Sequence, residues 1–458
     1  MADRMRARRK GRLAVGLAAA ALLLCGPAFA DDAPSGSDAQ DASQSAPQTF
    51  AIHAQTTFVL QDYGPIRSPY QGPQSLPAGG EGRETWDVTL YAGARPWKGA
   101  EIWVNPEIDQ GFGLDDTLGI AAFPNGEGYK IGKVDPYLQL HRLFLRQTID
   151  LGGKSSKVSP DLNQLGGSQT ENRVVITIGK FAVTDVFDAN DYAHDPRHDF
   201  LNWAVIDAGT FDYAADAWGY TVGGAVEWYQ GGWTFRLGVF DLSIVPNNIE
   251  LDRSFGQFQW IGEVERRWKL GGHAGSLKLT GFLTRARQAR FADALALAAL
   301  TGGPPQLAAV RRYRSRGGAS FDLQQEVSGE VGLFARGGAD DGSIEPYEFA
   351  DIDRTLSGGI SIKGKAWGQK DDAIGVAGVV DHISPIHQAY FAAGGLGILI
   401  GDGRLPHPAD EKVLEAYYDH AFKAWLHAAL DYQFVADPAY NADRGPASIF
   451  ALRLHAQF

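Results

Sequence analysis

The chain closes with Ser448-Ile449-Phe450-Ala451-Leu452-Arg453-Leu454-His455-Ala456-Gln457-Phe458. Even-numbered positions from Phe450 to Phe458 are apolar, and Arg453, His455 and Gln457 lie between them. A strand sends successive side chains to opposite faces, so this segment has one oily and one wet face. The oily face runs to the last residue, an aromatic. Soluble domains seldom finish on such a strand. An outer-membrane β-barrel does, because its closing strand faces lipid and an aromatic end sits in the interfacial girdle. The pattern makes Phe450, Leu452, Leu454 and Phe458 lipid-facing, and Arg453 and His455 channel-lining.

The other end of the chain agrees. Arg4, Arg6, Arg8, Arg9, Lys10 and Arg12 precede an apolar run from Leu13 to Leu24, and Ala28-Phe29-Ala30 is a small-x-small site. This reads as a secretory signal peptide over residues 1–30, cut after Ala30 and too short to be a membrane span. Lipidation at Cys25 is disfavoured by Leu24, where a small residue is expected. Cys25 is the sole cysteine, so the mature chain has no disulfide, thiolate metal site or cysteine nucleophile. Removing a segment with six basic residues and one acid from a chain of formal charge −12 leaves −17. That balance argues against nucleic acid as a partner.

Hydrophobic residues make up 44%, aromatics 11%, and there are 56 glycines. No second long apolar run marks a helical span. Residues 31–49 are rich in Asp, Ser, Ala, Gln and Pro and read as a disordered periplasmic lead-in. Alternation begins at Phe50. It predicts strands at 50–62, 84–95, 99–109, 137–150, 173–182, 217–230, 232–242, 257–270, 276–287, 313–325, 327–337, 352–366, 371–382, 412–422, 425–436 and 447–458. The fold class is therefore all-β: a transmembrane antiparallel β-barrel of about 16 strands over 50–458, with both termini periplasmic. Short connections fall on one rim and long ones on the other. Residues 151–172 break the rule as a long polar connection on the short-turn side. Segments 291–300 and 385–393 read as short helices among the long loops.

A soluble β-sandwich or solenoid would also alternate. Trp233, Phe258, Trp260, Trp268, Phe321 and Tyr432 on the apolar face, several near strand ends, favour the membrane barrel, whose lipid face carries aromatic girdles.

Three groups of residues are similar to one family. The first is Asn105-Pro106-Glu107 through Gly111-Phe112-Gly113-Leu114 to Gly119-Ile120-Ala121-Ala122-Phe123. The second is Gly179-Lys180-Phe181, then Asp188-Ala189-Asn190-Asp191-Tyr192-Ala193 and Phe200-Leu201-Asn202-Trp203. The third is Glu415-Ala416-Tyr417-Tyr418, Asp431-Tyr432-Gln433-Phe434-Val435 and Asp437-Pro438, closing at Arg453 and Phe458. In this order they resemble the carbohydrate-selective porin (OprB) family of Gram-negative outer membranes. The resemblance implies a barrel of about sixteen strands, a third loop folded inward, and passive passage of small sugars. It also implies recognition of Phe458 by the barrel-assembly machinery. The 151–172 segment and the acidic lead-in depart from the family.

The inward faces carry both charge signs. Arg142, Arg146, Arg236, Arg267, Arg314, Arg316 and Arg336, with Glu263, Asp322 and Glu330, are the channel-lining candidates. Arginine offers a planar fork of donors and carboxylates accept, so together they can clasp a pair of sugar hydroxyls. Trp103, Tyr91, Phe282 and Phe334 offer platforms for sugar ring faces. Arg314 and Arg316, two like charges on one face, are the strongest candidates for a sugar site, and equally suit an anion-selective or general porin. In the 183–216 loop, Asp188, Asn190, Asp191, Tyr192 and Arg197 are the constriction candidates. His194, Asp195 and His198 have metal-ligand character, but Pro196 interrupts any helix there, and no metal or cofactor is expected. No nucleophile elbow or cofactor fingerprint is present, so the chain does not read as an enzyme. A structural barrel would have a plugged lumen, which the wet inward faces argue against. Monomer and homotrimer both remain open.

Overall fold

The computed structural model describes residues 47–128 and 132–458. The signal peptide and lead-in as far as residue 46 lie outside the described residues. Sixteen antiparallel strands close into one barrel, each paired with its sequence neighbours and the first with the last. They are β1 (Phe50–Tyr63), β2 (Glu81–Ala94), β3 (Ala100–Gly111), β4 (Lys133–Val158), β5 (Gly167–Phe181), β6 (Thr221–Gln230), β7 (Trp233–Asp241) and β8 (Phe258–Leu270). The second half comprises β9 (His273–Gln288), β10 (Arg312–Ser328), β11 (Val331–Asp340), β12 (Arg354–Lys363), β13 (Ala373–His382), β14 (Glu411–Lys423), β15 (Leu426–Ala436) and β16 (Ala447–Gln457). Closure leaves no unpaired sheet edge inside the wall, the condition for a sheet to stand in lipid. At the seam, Phe58 lies opposite Leu454 and Leu60 opposite Leu452.

Alternation sets the two faces as expected. On β16, Phe450 and Leu452 are exposed outward, whereas Ile449, Ala451, Arg453 and His455 are buried inward. Large apolar side chains such as Leu237, Leu279, Leu356, Leu414 and Leu430 cover the outside of the wall. A belt of that kind suits hydrocarbon rather than water.

The hydrophobic core lies inside the barrel, on the long-loop side. Phe123 stacks on Trp203 at 5.3 Å, and Trp203 meets Phe349 edge-on at 5.1 Å. Phe211 packs on Phe282 at 5.3 Å, and Phe200 on Tyr417 at 4.9 Å. Two helices cap the long-loop rim, α2 (Phe291–Thr301) and α3 (Pro385–Ala392); α1 (Trp203–Ile206) is a single turn within the lumen. Phe291 stacks on His387 at 4.1 Å, joining the two rim helices.

One connection differs from the sequence reading. Residues 151–172 are mostly strand, because β4 and β5 run on past the wall as a hairpin. The register shifts at Gly152, where Gly152 and Gly153 take φ of 97° and 91°, so β4 bends there. The tip, 159–166, folds back against the barrel. Arg146 donates to Asn163 O at 2.8 Å, and Leu165 is buried beside Glu101. Gln48, from the end of the lead-in, donates its N–H to Gly166 O at 3.0 Å.

Candidate functional site in the lumen

The 183–216 segment lies inside the barrel, held by inward side chains of many strands. Glu263 on β8 accepts the Asp188 N–H at 2.9 Å. Arg336 on β11 donates to Val205 O at 2.7 Å and Asp188 O at 2.9 Å. Arg453 on β16 donates to the carbonyls of Pro196 and Asp199, both at 2.7 Å, and of His198 at 3.0 Å. Glu415 on β14 accepts the N–H groups of Leu201 and Asn202. An irregular segment away from bulk water must satisfy its peptide groups, and here wall charges do so.

A second loop joins it. Gly126 donates to Leu201 O at 2.7 Å, and Gln61 and Gln433 both donate to Pro124 O at 2.8 Å. Glu411 accepts the N–H groups of Ala121 and Ala122. The sequence reading took 110–136 as an ordinary long loop. Its apolar run, Gly119 to Phe123, was the signal that it seeks a dry place.

Each constriction candidate has a defined position. Asp188 sits 3.6 Å from Arg336. Asn190 donates to Asp322 at 2.6 Å. Asp191 and Gln324 exchange two hydrogen bonds, 2.9 and 2.7 Å. Tyr192 covers Gly332, where any Cβ would collide with its ring. Arg197 reaches Glu127 at 3.1 Å, and Asp87 and Glu107 at 3.7 Å. Burial pushes the Glu127 carboxyl up to about 7, with Arg197 pulling the other way.

Several lining candidates are covered. Arg316 is buried against Asp212, at 3.4 Å, and Asp340; Arg314 instead reaches Asp293 of α2 at 2.5 Å. The two arginines therefore make no shared sugar site: separate acids neutralise them. Arg336 and Asp322 clamp the loop. Trp103 is fully buried, donating to Glu101 at 3.0 Å, so it offers no open platform. Tyr91, Phe282 and Phe334 are buried too, the latter two under Phe211 and Phe200. Glu330 lies in the β10–β11 turn, 3.3 Å from Lys365, at the rim rather than along the channel.

Glu263 is buried under the loop, whereas Arg146 and Arg236 border open space. A cavity of about 790 Å³ opens on the short-turn side, lined by Arg146, Arg173, Arg236, Glu101, Glu227 and Tyr229 among others. Tyr229 is part of its wall. Arg173 lies 3.6 Å from its ring centroid, Arg267 5.6 Å and Arg236 5.8 Å. The Tyr229 hydroxyl donates to Glu227 at 2.7 Å. Arg236 bridges Glu263 at 2.6 Å, and Glu227 and Glu265 at 2.9 Å. Arg267 pairs with Glu265 at 3.1 Å. Deeper in, Arg142 grips Asp185 through two bonds, 2.8 and 2.6 Å, and faces the Tyr220 ring at 4.9 Å. Arg173 and Tyr229 were missed from sequence, although both fall on the inward parity of their strands.

His194 turns towards Asp207 at 3.9 Å, while His198 packs on His455 at 4.4 Å, so these histidines form no metal set with Asp195. Among the described residues, the grouping of metal-ligand type is Glu107, Asp109 and His141.

A closed sixteen-strand barrel with inward loops and a charged, open vestibule has the architecture of a channel. The sequence model of the carbohydrate-selective porin, OprB family, matches residues 74–458. The chain belongs to that family. It is a carbohydrate-selective outer-membrane porin of the Gram-negative type, and not an enzyme. The high-pH structure of Pseudomonas putida OprB superposes with a TM-score of 0.68 at 16% identity, covering 90% of this chain and 94% of that one. The low-pH structure of the same protein gives 0.49 at 12% identity, covering 90% and 93%. The outer-membrane channel DcaP of Acinetobacter baumannii gives 0.48 at 8%, covering 89% and 97%. Among curated proteins, none matches the chain.

Proposed function

We propose that small sugars diffuse through the short-turn vestibule, with selectivity set by the arginine–carboxylate wall around Tyr229. The observation that carries this reading is three guanidinium groups around one aromatic ring, with Glu227 on its hydroxyl. An aromatic face accepts the C–H face of a sugar ring, while the guanidinium forks donate to its hydroxyls. Contacts of this kind are weak and exchangeable, as conduction requires. The vestibule wall carries Arg95, Lys98, Arg146, Arg173 and Arg236 against Glu101, Asp150, Asp185 and Glu227. That near balance suits a neutral solute better than an anion.

The 183–216 segment acts as the constriction, with Asp185 bound to Arg142 at its edge. Short turns share one rim with the start of β1 and the end of β16, and we assign that rim to the periplasm by the usual barrel asymmetry. The exposed Phe458, paired to Ala54 at the end of the closing strand, is the recognition residue for barrel assembly.

Liposome swelling tests the function. Reconstituted protein should admit arabinose and glucose faster than sucrose. Swelling no faster than that of empty liposomes would overturn the proposal. Strong anion selectivity in a salt gradient, without sugar block, would favour an anion porin.

A further inference from the structure

Strand β9 carries arginines on the outside of the barrel. Leu279 and Leu283 are outward and exposed, while Phe282, Thr284 and Ala286 are buried inward. Arg285 and Arg287 continue the outward row at the long-loop end. Tyr313 lies opposite Arg287 in register, and the Arg285 guanidinium sits 4.6 Å from its ring centroid. Below them Trp260 and Leu283 face outward, opposite one another.

The charges here are handled unlike those nearby. Arg311, Arg314 and Arg316 each pair with an acid. Among the described residues, Arg285 and Arg287 have no carboxylate within ion-pair distance. The one side-chain hydrogen bond of Arg285 goes to Ser315 at 3.3 Å. A cation on the lipid face is costly unless it lies at the interface or meets an anion. A guanidinium fork above a row of aromatic and aliphatic side chains is built for phosphate on a lipid.

We propose that Arg285, Arg287 and Tyr313 form a binding site for the phosphates of an outer-leaflet lipid, whose acyl chains lie along Leu283 and Trp260. The proposal rests on assigning the long-loop rim to the outer leaflet. Cysteine labelling of the 289–311 loop on intact cells tests that assignment separately.

The site is tested by titrating the full-length barrel in detergent with lipid A carrying two phosphates, and with its phosphate-free counterpart. Wild type should bind the phosphorylated form at least tenfold more tightly, and salt should weaken that binding. Arg285→Ala with Arg287→Ala should remove the preference, while Arg266→Ala on the opposite rim should keep it. If the alanine variant fails to show the heat-modifiable mobility of a folded barrel, Arg285→Gln with Arg287→Gln replaces it. Equal binding of both lipids by wild type, or a double variant that keeps the preference, would overturn the proposal.

Discussion

The inward face of this barrel holds two populations of arginine, alike in sequence and opposite in fate. Under the inward loops, Arg316, Arg336 and Arg453 are at most 2% exposed in their side chains and are bound to loop backbone or to buried acids. On the short-turn side, Arg146 and Arg267 are 28% and 35% exposed, around the Tyr229 vestibule. In the proposed pathway the first group builds the constriction and the second meets what passes. Pointing inward is thus a different property from lining the channel. What separates them is whether a loop lies over the side chain.

The comparison can be broken first at its covered half. Removing Arg336 leaves Asp188 buried without its cation, Asp322 with Lys278 alone, and two loop carbonyls without a donor. Arg336→Ala should cost about 3–5 kcal/mol, read from urea unfolding in detergent micelles. Surviving channels should conduct more as the loop loosens; wild-type stability and conductance would show that the loop is held elsewhere. Next comes the hairpin. Replacing the 159–166 tip with a two-residue turn should raise single-channel conductance, because the tip lies against Glu101 and Arg146 at the vestibule mouth.

A pH effect of smaller size belongs to Glu127. Its carboxyl goes from an ordinary 4.5 to about 7 in the folded chain. Between those values the folded state keeps a proton that the unfolded chain has lost. Stability from this group is therefore full below about 4.5, falls as pH rises to about 7, and is flat above. Glu127→Gln should flatten the melting temperature over that range. The smallest effect is expected at Arg314. It pairs with a half-exposed Asp293, so Arg314→Ala should cost under about 1 kcal/mol and leave sugar block unchanged.

The sequence made the wall legible because lipid on one side and water on the other impose a period of two. All sixteen strands follow from that pattern, as does the split of the β16 tail into Phe450 and Leu452 outside and Arg453 and His455 inside. The β4–β5 extension was illegible for the same reason. Lys154, Ser155, Ser156 and Lys157 stand beyond the lipid, both of their faces are wet, and the alternation that marks a strand is gone. At the site, parity could place Arg314 and Arg316 on the inward face but could not reveal Asp293 in a rim helix, Asp212 in the inward loop or Asp340 at the end of the neighbouring strand. Tyr229 was legible by parity alone; its importance was not, because Arg173, Arg236 and Arg267 meet it across neighbouring strands.

Sugar block of single-channel current tests the central claim most directly. Tyr229→Ala with Arg173→Ala should raise the half-saturating glucose concentration about tenfold, a loss of about 1.4 kcal/mol. Arg314→Ala should leave it at the wild-type value. An unchanged half-saturation in the Tyr229 and Arg173 variant, or an equal rise in the Arg314 variant, would contradict the assignment of the short-turn vestibule as the sugar-binding half.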